Sequence, residues 1–227
     1  MELRVTATPS GYAIDAPGVA VFEVERAGGR VVVWPVAESP AALEELLSES
    51  VLPMVDQLRG TPSLHASSVG IGELAVGFIG RSHSGKSTMA AVMASRSATL
   101  LGDDCLRVQA NSSGLVVIPY STGVRLRGAA ADTFARPGAR PTWDGRTLVP
   151  LPAAGAPLRV GALYLLEQAE SPLLEPVLRR DAMAVLASHL HRLDPTEPDL
   201  LKSEFSFLEK LVDTVRIARL GFPRTFG

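Results

Sequence analysis

Residues 80–87 read Gly-Arg-Ser-His-Ser-Gly-Lys-Ser, a full match to G-x-x-x-x-G-K-[ST]. They fall between the apolar run Leu74–Ile79 and the Ala/Met-rich run Lys86–Ser95. The pattern limits the fold because it works only in a fixed local order. Its glycines let the backbone bend until successive N–H groups point at one anion, and a following helix presents its positive N-terminal end to the same anion. Ala98–Leu101 is a second apolar strand, so strand, loop, helix and strand make a βαβ-like unit of an α/β fold. Lys86 is expected to reach the β- and γ-phosphates of ATP, and the Ser87 hydroxyl to ligate Mg2+. Gly80, Arg81, Ser82, His83, Ser84, Gly85 and Thr88 complete the expected nucleotide-binding loop. The competing reading is a Gly/Ser-rich surface turn ahead of a helix.

Asp103 and Asp104 end the next expected strand. Ligands of open α/β sheets gather at the carboxyl ends of strands, which brings both carboxylates towards the γ-phosphate. Two tasks need a carboxylate there: accepting the proton of an acceptor hydroxyl and holding Mg2+. An Asp-Asp turn at a strand end is the alternative. His65, in Leu64-His-Ala-Ser-Ser-Val69, reads on its own as a hydrogen-bonded core histidine.

Around this centre, Val19–Val24 and Arg30–Val36 form an expected hairpin, and Ser39-Pro40 opens a helix that Pro53 splits or kinks. Leu106–Ala110 and Leu115–Pro119 flank the turn signal Asn111-Ser112-Ser113-Gly114. Arg136–Asp144 reads as a mobile loop and Pro150–Pro157 as a short linker. Arg159–Glu167 is a buried strand, and Arg180–Leu193 and Asp199–Val212 are amphipathic helices.

Composition narrows the function classes. The chain has 227 residues, 46% hydrophobic and 20% charged, with a net charge of -2. That balance gives no overall basic excess for binding nucleic acid. Cys105 is the one cysteine, which excludes an internal disulfide framework and suits the reducing cytosol. Met1-Glu2-Leu3-Arg4 lacks the basic-then-apolar pattern of a signal, and no apolar run approaches the ~20 residues that span a bilayer. A cytoplasmic protein with no membrane partner is expected.

Leu64-His-Ala-Ser-Ser, Gly80–Ser87 and Leu100-Leu-Gly-Asp103-Asp104, with their mutual spacing, resemble the catalytic domain of the HPr kinase/phosphorylase family. The likeness is closer still to short HPr-kinase-like proteins found near peptide-modification gene clusters, including lasso-peptide clusters. It covers roughly Leu52 to Gly227. The resemblance implies a mixed-sheet core like that of phosphoenolpyruvate carboxykinase, a catalytic domain over 61–227 and a small strand–helix appendage over 1–60. It implies an ATP- and Mg2+-dependent serine kinase acting on a peptide or protein hydroxyl, including a ribosomal peptide precursor. It also suggests a homo-oligomer. Asp103 is then the base, Asp104 assists Mg2+, and His65 stands beside the Asp pair. Lys86 and Ser87 bind phosphate and metal. Arg125 is a phosphate-side cation, favoured over Arg127, which strand alternation puts on the same face. No Glu stands between Cys105 and Leu166, so the acid that the family ties to the phosphorolytic reaction has no counterpart there, and the resemblance does not extend to phosphorylase activity or to the carrier protein as substrate. The alternatives are a nucleotide-binding regulatory module, a small-metabolite kinase and an ATPase that drives motion. The cluster Arg136, Arg140 and Arg146 reads as a solvated loop or as a receptor for an acidic peptide or carboxylate.

Overall fold

Alternating apolar residues and tight turns build the first sheet. In the computed structural model, which describes residues 3–37, 39–112 and 114–223, β1 (Arg4–Thr8), β2 (Gly11–Ala16), β3 (Ala20–Glu25) and β4 (Val31–Pro35) form an antiparallel meander in chain order. The expected hairpin is its second half; the first half carries too weak an alternation to stand out in the sequence. Tyr12, Ile14, Phe22 and Val24 are its buried face. Ser39 caps α1 (Pro40–Leu46), its side chain accepting from the Ala42 N–H at 3.4 Å. The helical run continues through a π-helical turn at Leu47–Val51 into α2 (Leu52–Leu58). Pro53 sits in the first turn of α2, where a proline needs no N–H partner, so the irregularity falls just before it.

Residues 3–63 and His191–Phe207 form one compact unit, and Leu64–Leu190 with 208–223 the other. In the first unit Gln57 ties down the later segment. Its amide nitrogen donates to Glu204 at 2.7 Å, and its amide oxygen accepts from the Leu193 N–H at 2.8 Å.

The second unit contains β5 (Ala66–Ile71), β6 (Leu74–Ile79), α3 (Lys86–Ala94), β7 (Thr99–Gly102), β8 (Val108–Asn111), β9 (Gly114–Val117), β10 (Gly123–Leu126), α4 (Gly128–Thr133), β11 (Arg140–Pro141) and β12 (Thr147–Pro150). There follow β13 (Leu158–Gln168), β14 (Leu173–Pro176), α5 (Arg179–Ala187), α6 (Pro198–Thr214, shared between the units) and β15 (Arg216–Phe222). The large sheet is mixed, in the order β14-β15-β13-β6-β5-β7, with β9 pairing β13 and β8. β13 runs parallel to β6 and β15, and β5 runs antiparallel to both β6 and β7. The βαβ-like unit therefore differs from a simple crossover: β6 and β7 are parallel but β5 lies between them. β10, β12 and β11 make a small antiparallel sheet.

Helix α3 presents Ala90, Ala91 and Ala94 to a core that includes Val69, Phe78, Leu100, Val124, Leu126 and Val149. Small side chains on that face let the helix approach strands of both sheets closely. The Pro-rich stretch after β12 is not a free linker: Leu100 donates to the Pro152 carbonyl at 2.6 Å and accepts from the Ala154 N–H at 2.8 Å. Within the expected mobile loop, Arg140 and Pro141 pair with β12. Arg216–Phe222, beyond the last expected helix, is strand β15. Ser113 of the expected turn, Met1-Glu2 and residues 224–227 lie outside the described residues. Among the described residues no helix is long and apolar enough to cross a membrane.

Candidate active site

Strand direction gathers the chemistry at one edge of the large sheet. β6 ends at Ile79 and runs into the glycine loop. Antiparallel β5 starts at that same end, with Ala66 opposite Ile79 and Ser67 opposite Phe78. β7 also ends there, since Gly102 pairs with Ser68, and Asp103 and Asp104 follow directly.

The loop is sharply bent. The Ser84 N–H donates to the Arg81 carbonyl at 3.0 Å, and His83 and Gly85 are left-handed, with φ of 64° and 96°. A Cβ on Gly80 would lie 2.6 Å from Ser84 Oγ and 3.1 Å from the Leu166 carbonyl, so only glycine fits. The Lys86 ammonium donates to the Gly80 carbonyl at 3.0 Å and the Arg81 carbonyl at 3.3 Å. Burial lowers its pKa, against the opposing charges of Asp104 and Asp103. Ser84 Oγ is buried and makes no hydrogen bond.

The two aspartates have different surroundings. Asp103 is 2% exposed. Its Oδ1 accepts from Ser67 Oγ at 2.6 Å and its Oδ2 from the Arg125 N–H at 2.8 Å, while the Tyr120 hydroxyl donates to its backbone carbonyl. Burial, and then the charge of Asp104, push its carboxyl above the ordinary value; Ser67, the Arg125 N–H and Ser87 pull the other way without prevailing. Asp104, at φ 60°, takes Arg125 Nη2 and Arg146 Nη1 on one oxygen, each at 2.6 Å. Burial opposes its ionisation, but Arg125, Arg146 and His65 outweigh that and hold it down at about 2. His65 Nδ1 lies 3.1 Å from the Asp104 carbonyl. A carbonyl only accepts, so Nδ1 carries the proton.

These groups surround a cavity of about 380 Å3. The loop and helix start supply Ser82, His83, Gly85, Lys86, Ser87 and Thr88; His65, Asp104, Arg125, Arg127 and Arg146 close the other sides, with Leu126 and Ala130. Gly80, Arg81 and Ser84 are not on its wall, and Asp103 lies behind it. Arg125 and Arg127 do share a side, each 4.0 Å from Asp144 Oδ2, but Arg125 is 4% exposed and Arg127 55%. Arg140 remains exposed and Arg136 half-buried, whereas Arg146 turns into the site.

The sequence singles out none of Ser67, Tyr120 and Asp144 as site residues, and it offers Arg146 only within the arginine cluster read as a solvated loop or as a receptor for an acidic peptide or carboxylate. Ser67 stands within the quoted Leu-His-Ala-Ser-Ser segment, and alternation from His65 was a usable signal. Asp144-Gly145 was a turn signal that could have aimed Arg146 inwards.

Lys86, Arg125, Arg127 and Arg146 oppose Asp104 as the lining carboxylate, so the cavity suits a polyanion. Among the described residues no cluster of three or more His, Cys, Asp or Glu could hold a metal by itself. A hydroxyl and a carboxylate, completed by phosphate oxygens and water, fit Mg2+. Ser87 brings a hydroxyl to the cavity wall and hydrogen-bonds the Asp103 carboxylate.

No family model matches the chain, and no curated protein matches it. Among solved structures, it is similar to the Hpr(Ser) kinase/phosphatase from Coxiella burnetii, at 14% identity over 71% of this chain and 85% of that one, with a TM-score of 0.38.

Proposed function

We propose that the chain is an ATP- and Mg2+-dependent kinase that transfers the γ-phosphoryl group to a serine-type hydroxyl of a peptide or protein. The observation that carries this reading is the pairing of a cation-lined cavity at the start of α3 with two adjacent carboxylates of opposite character. Asp103 has a raised proton affinity and Asp104 is held ionised.

In the proposed reaction the acceptor oxygen attacks the γ-phosphorus. The new O–P bond forms, the bond to the β,γ-bridging oxygen breaks, and ADP leaves with that electron pair. The acceptor proton passes to a carboxylate of the pair, Asp103 on the resemblance. Lys86 and Arg125 balance charge on the phosphates, and the amides of the loop orient them. Mg2+, when bound, would offset phosphate charge, and Ser87 with a carboxylate of the Asp pair, Asp104 on the resemblance, would hold it. The choice of a peptide or protein serine rests on the resemblance of the sequence motifs.

A single-turnover assay with γ-labelled ATP, Mg2+ and serine-containing peptides tests the proposal. Label on the serine oxygen is the expected result. Bound ATP with no transfer to any hydroxyl favours the regulatory module, and brisk hydrolysis without acceptor favours an ATPase.

A further inference from the structure

The turn between β11 and β12 delivers a second guanidinium to the acid pair, and its own hydrogen bonds fix how it does so. The Thr142 N–H donates to the Arg146 carbonyl at 2.9 Å, and the Gly145 N–H to the Thr142 carbonyl at 3.1 Å. Asp144 Oδ1 accepts from Thr142 Oγ1 at 2.6 Å and from the Arg146 N–H at 3.3 Å, which leaves Oδ2 to take Arg146 Nε. The guanidinium is thereby held by one edge, and its Nη1 extends to Asp104.

Arg125 and Arg146 thus converge on a single oxygen, Asp104 Oδ2. A tetrahedral oxyanion with several oxygens offers two planar forks more acceptors than a single carboxylate oxygen does. Lys86 adds a third cation on the same cavity wall. Three converging cations with one lining carboxylate between them leave room for further negative charge.

We propose that Arg146 is a phosphoryl-contacting residue, forming with Arg125 the subsite for the group transferred. Asp144 is the positioning residue that aims it, and the Asp104 carboxylate occupies the subsite when no phosphoryl group is bound. This rests on the kinase reading above.

Calorimetric titration with ATP and with ADP, each with Mg2+, tests it. The wild type is expected to prefer ATP. Arg146→Gln should lose at least tenfold in ATP affinity while ADP affinity stays within threefold. Asp144→Asn should reduce the ATP-over-ADP preference partly, and Asp144→Glu should restore it. Wild-type protein that binds neither nucleotide overturns the kinase reading itself. Binding with no ATP preference in the wild type, an unchanged preference in Arg146→Gln, or equal loss of both nucleotides overturns the subsite alone. An Asp144→Asn protein that loses melting temperature but keeps the full preference overturns the positioning role. Should Arg146→Gln not fold, Arg146→Lys keeps the charge without the fork. It is expected to weaken ATP severalfold more than ADP, and full wild-type preference in that variant refutes the subsite.

Discussion

Arg125 Nη2 stands 2.6 Å from Asp104 Oδ2, and both side chains are largely buried. The pair stabilises the fold only while Asp104 is ionised. The folded pKa of about 2 lies below the ordinary 3.8. A depressed carboxylate contributes stability above its unfolded pKa and loses it as pH falls through the folded one. On the order of 2 kcal/mol is linked to this proton.

Asp104→Asn should therefore destabilise the protein at pH 7 by roughly 3–5 kcal/mol, because Arg125 and Arg146 are left without their shared counter-charge. The deficit relative to wild type should shrink as pH falls from 4 to 2. Denaturant unfolding of both proteins across pH 2–7 measures this. A deficit that does not vary with pH contradicts the ion-pair account.

Asp103 has the opposite sign. Its folded pKa is raised by burial and by Asp104, so its ionised form costs stability above the folded pKa, and the cost disappears below the unfolded one. Asp103→Asn removes the buried charge. The amide oxygen can accept from the Arg125 N–H while the amide nitrogen donates to Ser67. Melting temperature at pH 7–8 should hold or rise, and phosphoryl transfer should fall at least a hundredfold with ATP affinity within threefold. Equal loss of binding and transfer would remove the base assignment.

Lys86 is also buried at a cost. Burial depresses its pKa, so the ammonium penalises the fold below the folded pKa, and the penalty lifts as pH rises past the unfolded value of 10.5. Lys86→Met should leave stability at pH 7 unchanged or raised, within about 1 kcal/mol, after the hydrogen bonds to the Gly80 and Arg81 carbonyls are lost. ATP affinity should drop at least tenfold. Thermal melts paired with calorimetry separate the two effects; a large loss of stability would make Lys86 a structural residue.

Local chemistry was legible in the sequence where it is written in consecutive residues. Leu74–Ile79 is a strand over its full expected length, Ser39 caps α1, and the helix begins at Lys86. Tertiary placement was not. β5 pairs between β6 and β7 because Ala66–Ile71 turns back at Gly72, and apolar runs do not state their neighbours. Arg146 lies 42 positions beyond Asp104, and only the hairpin closed by Thr142 and Asp144 brings them together. Ser67 and Tyr120 are ordinary residues until the sheet register sets them beside Asp103.

Gly85 tests whether the bend of the loop itself serves binding. Its φ of 96° lies where an L-residue is strained, yet an added Cβ would come no closer than 3.6 Å to the Phe222 ring. The cost of Gly85→Ala is thus conformational, about 1–2 kcal/mol, or roughly 2–6 °C in melting temperature. Relief of that strain would rotate the amides that precede Lys86, so ATP affinity should fall at least tenfold. Gly72 offers the matched control: its φ is 58°, nothing lies within 4 Å of its added Cβ, and it sits at the opposite end of β6. Gly72→Ala should lose similar stability and keep wild-type ATP affinity. If both variants weaken binding alike, global destabilisation explains the loss and the left-handed bend at residue 85 has no part in holding phosphate.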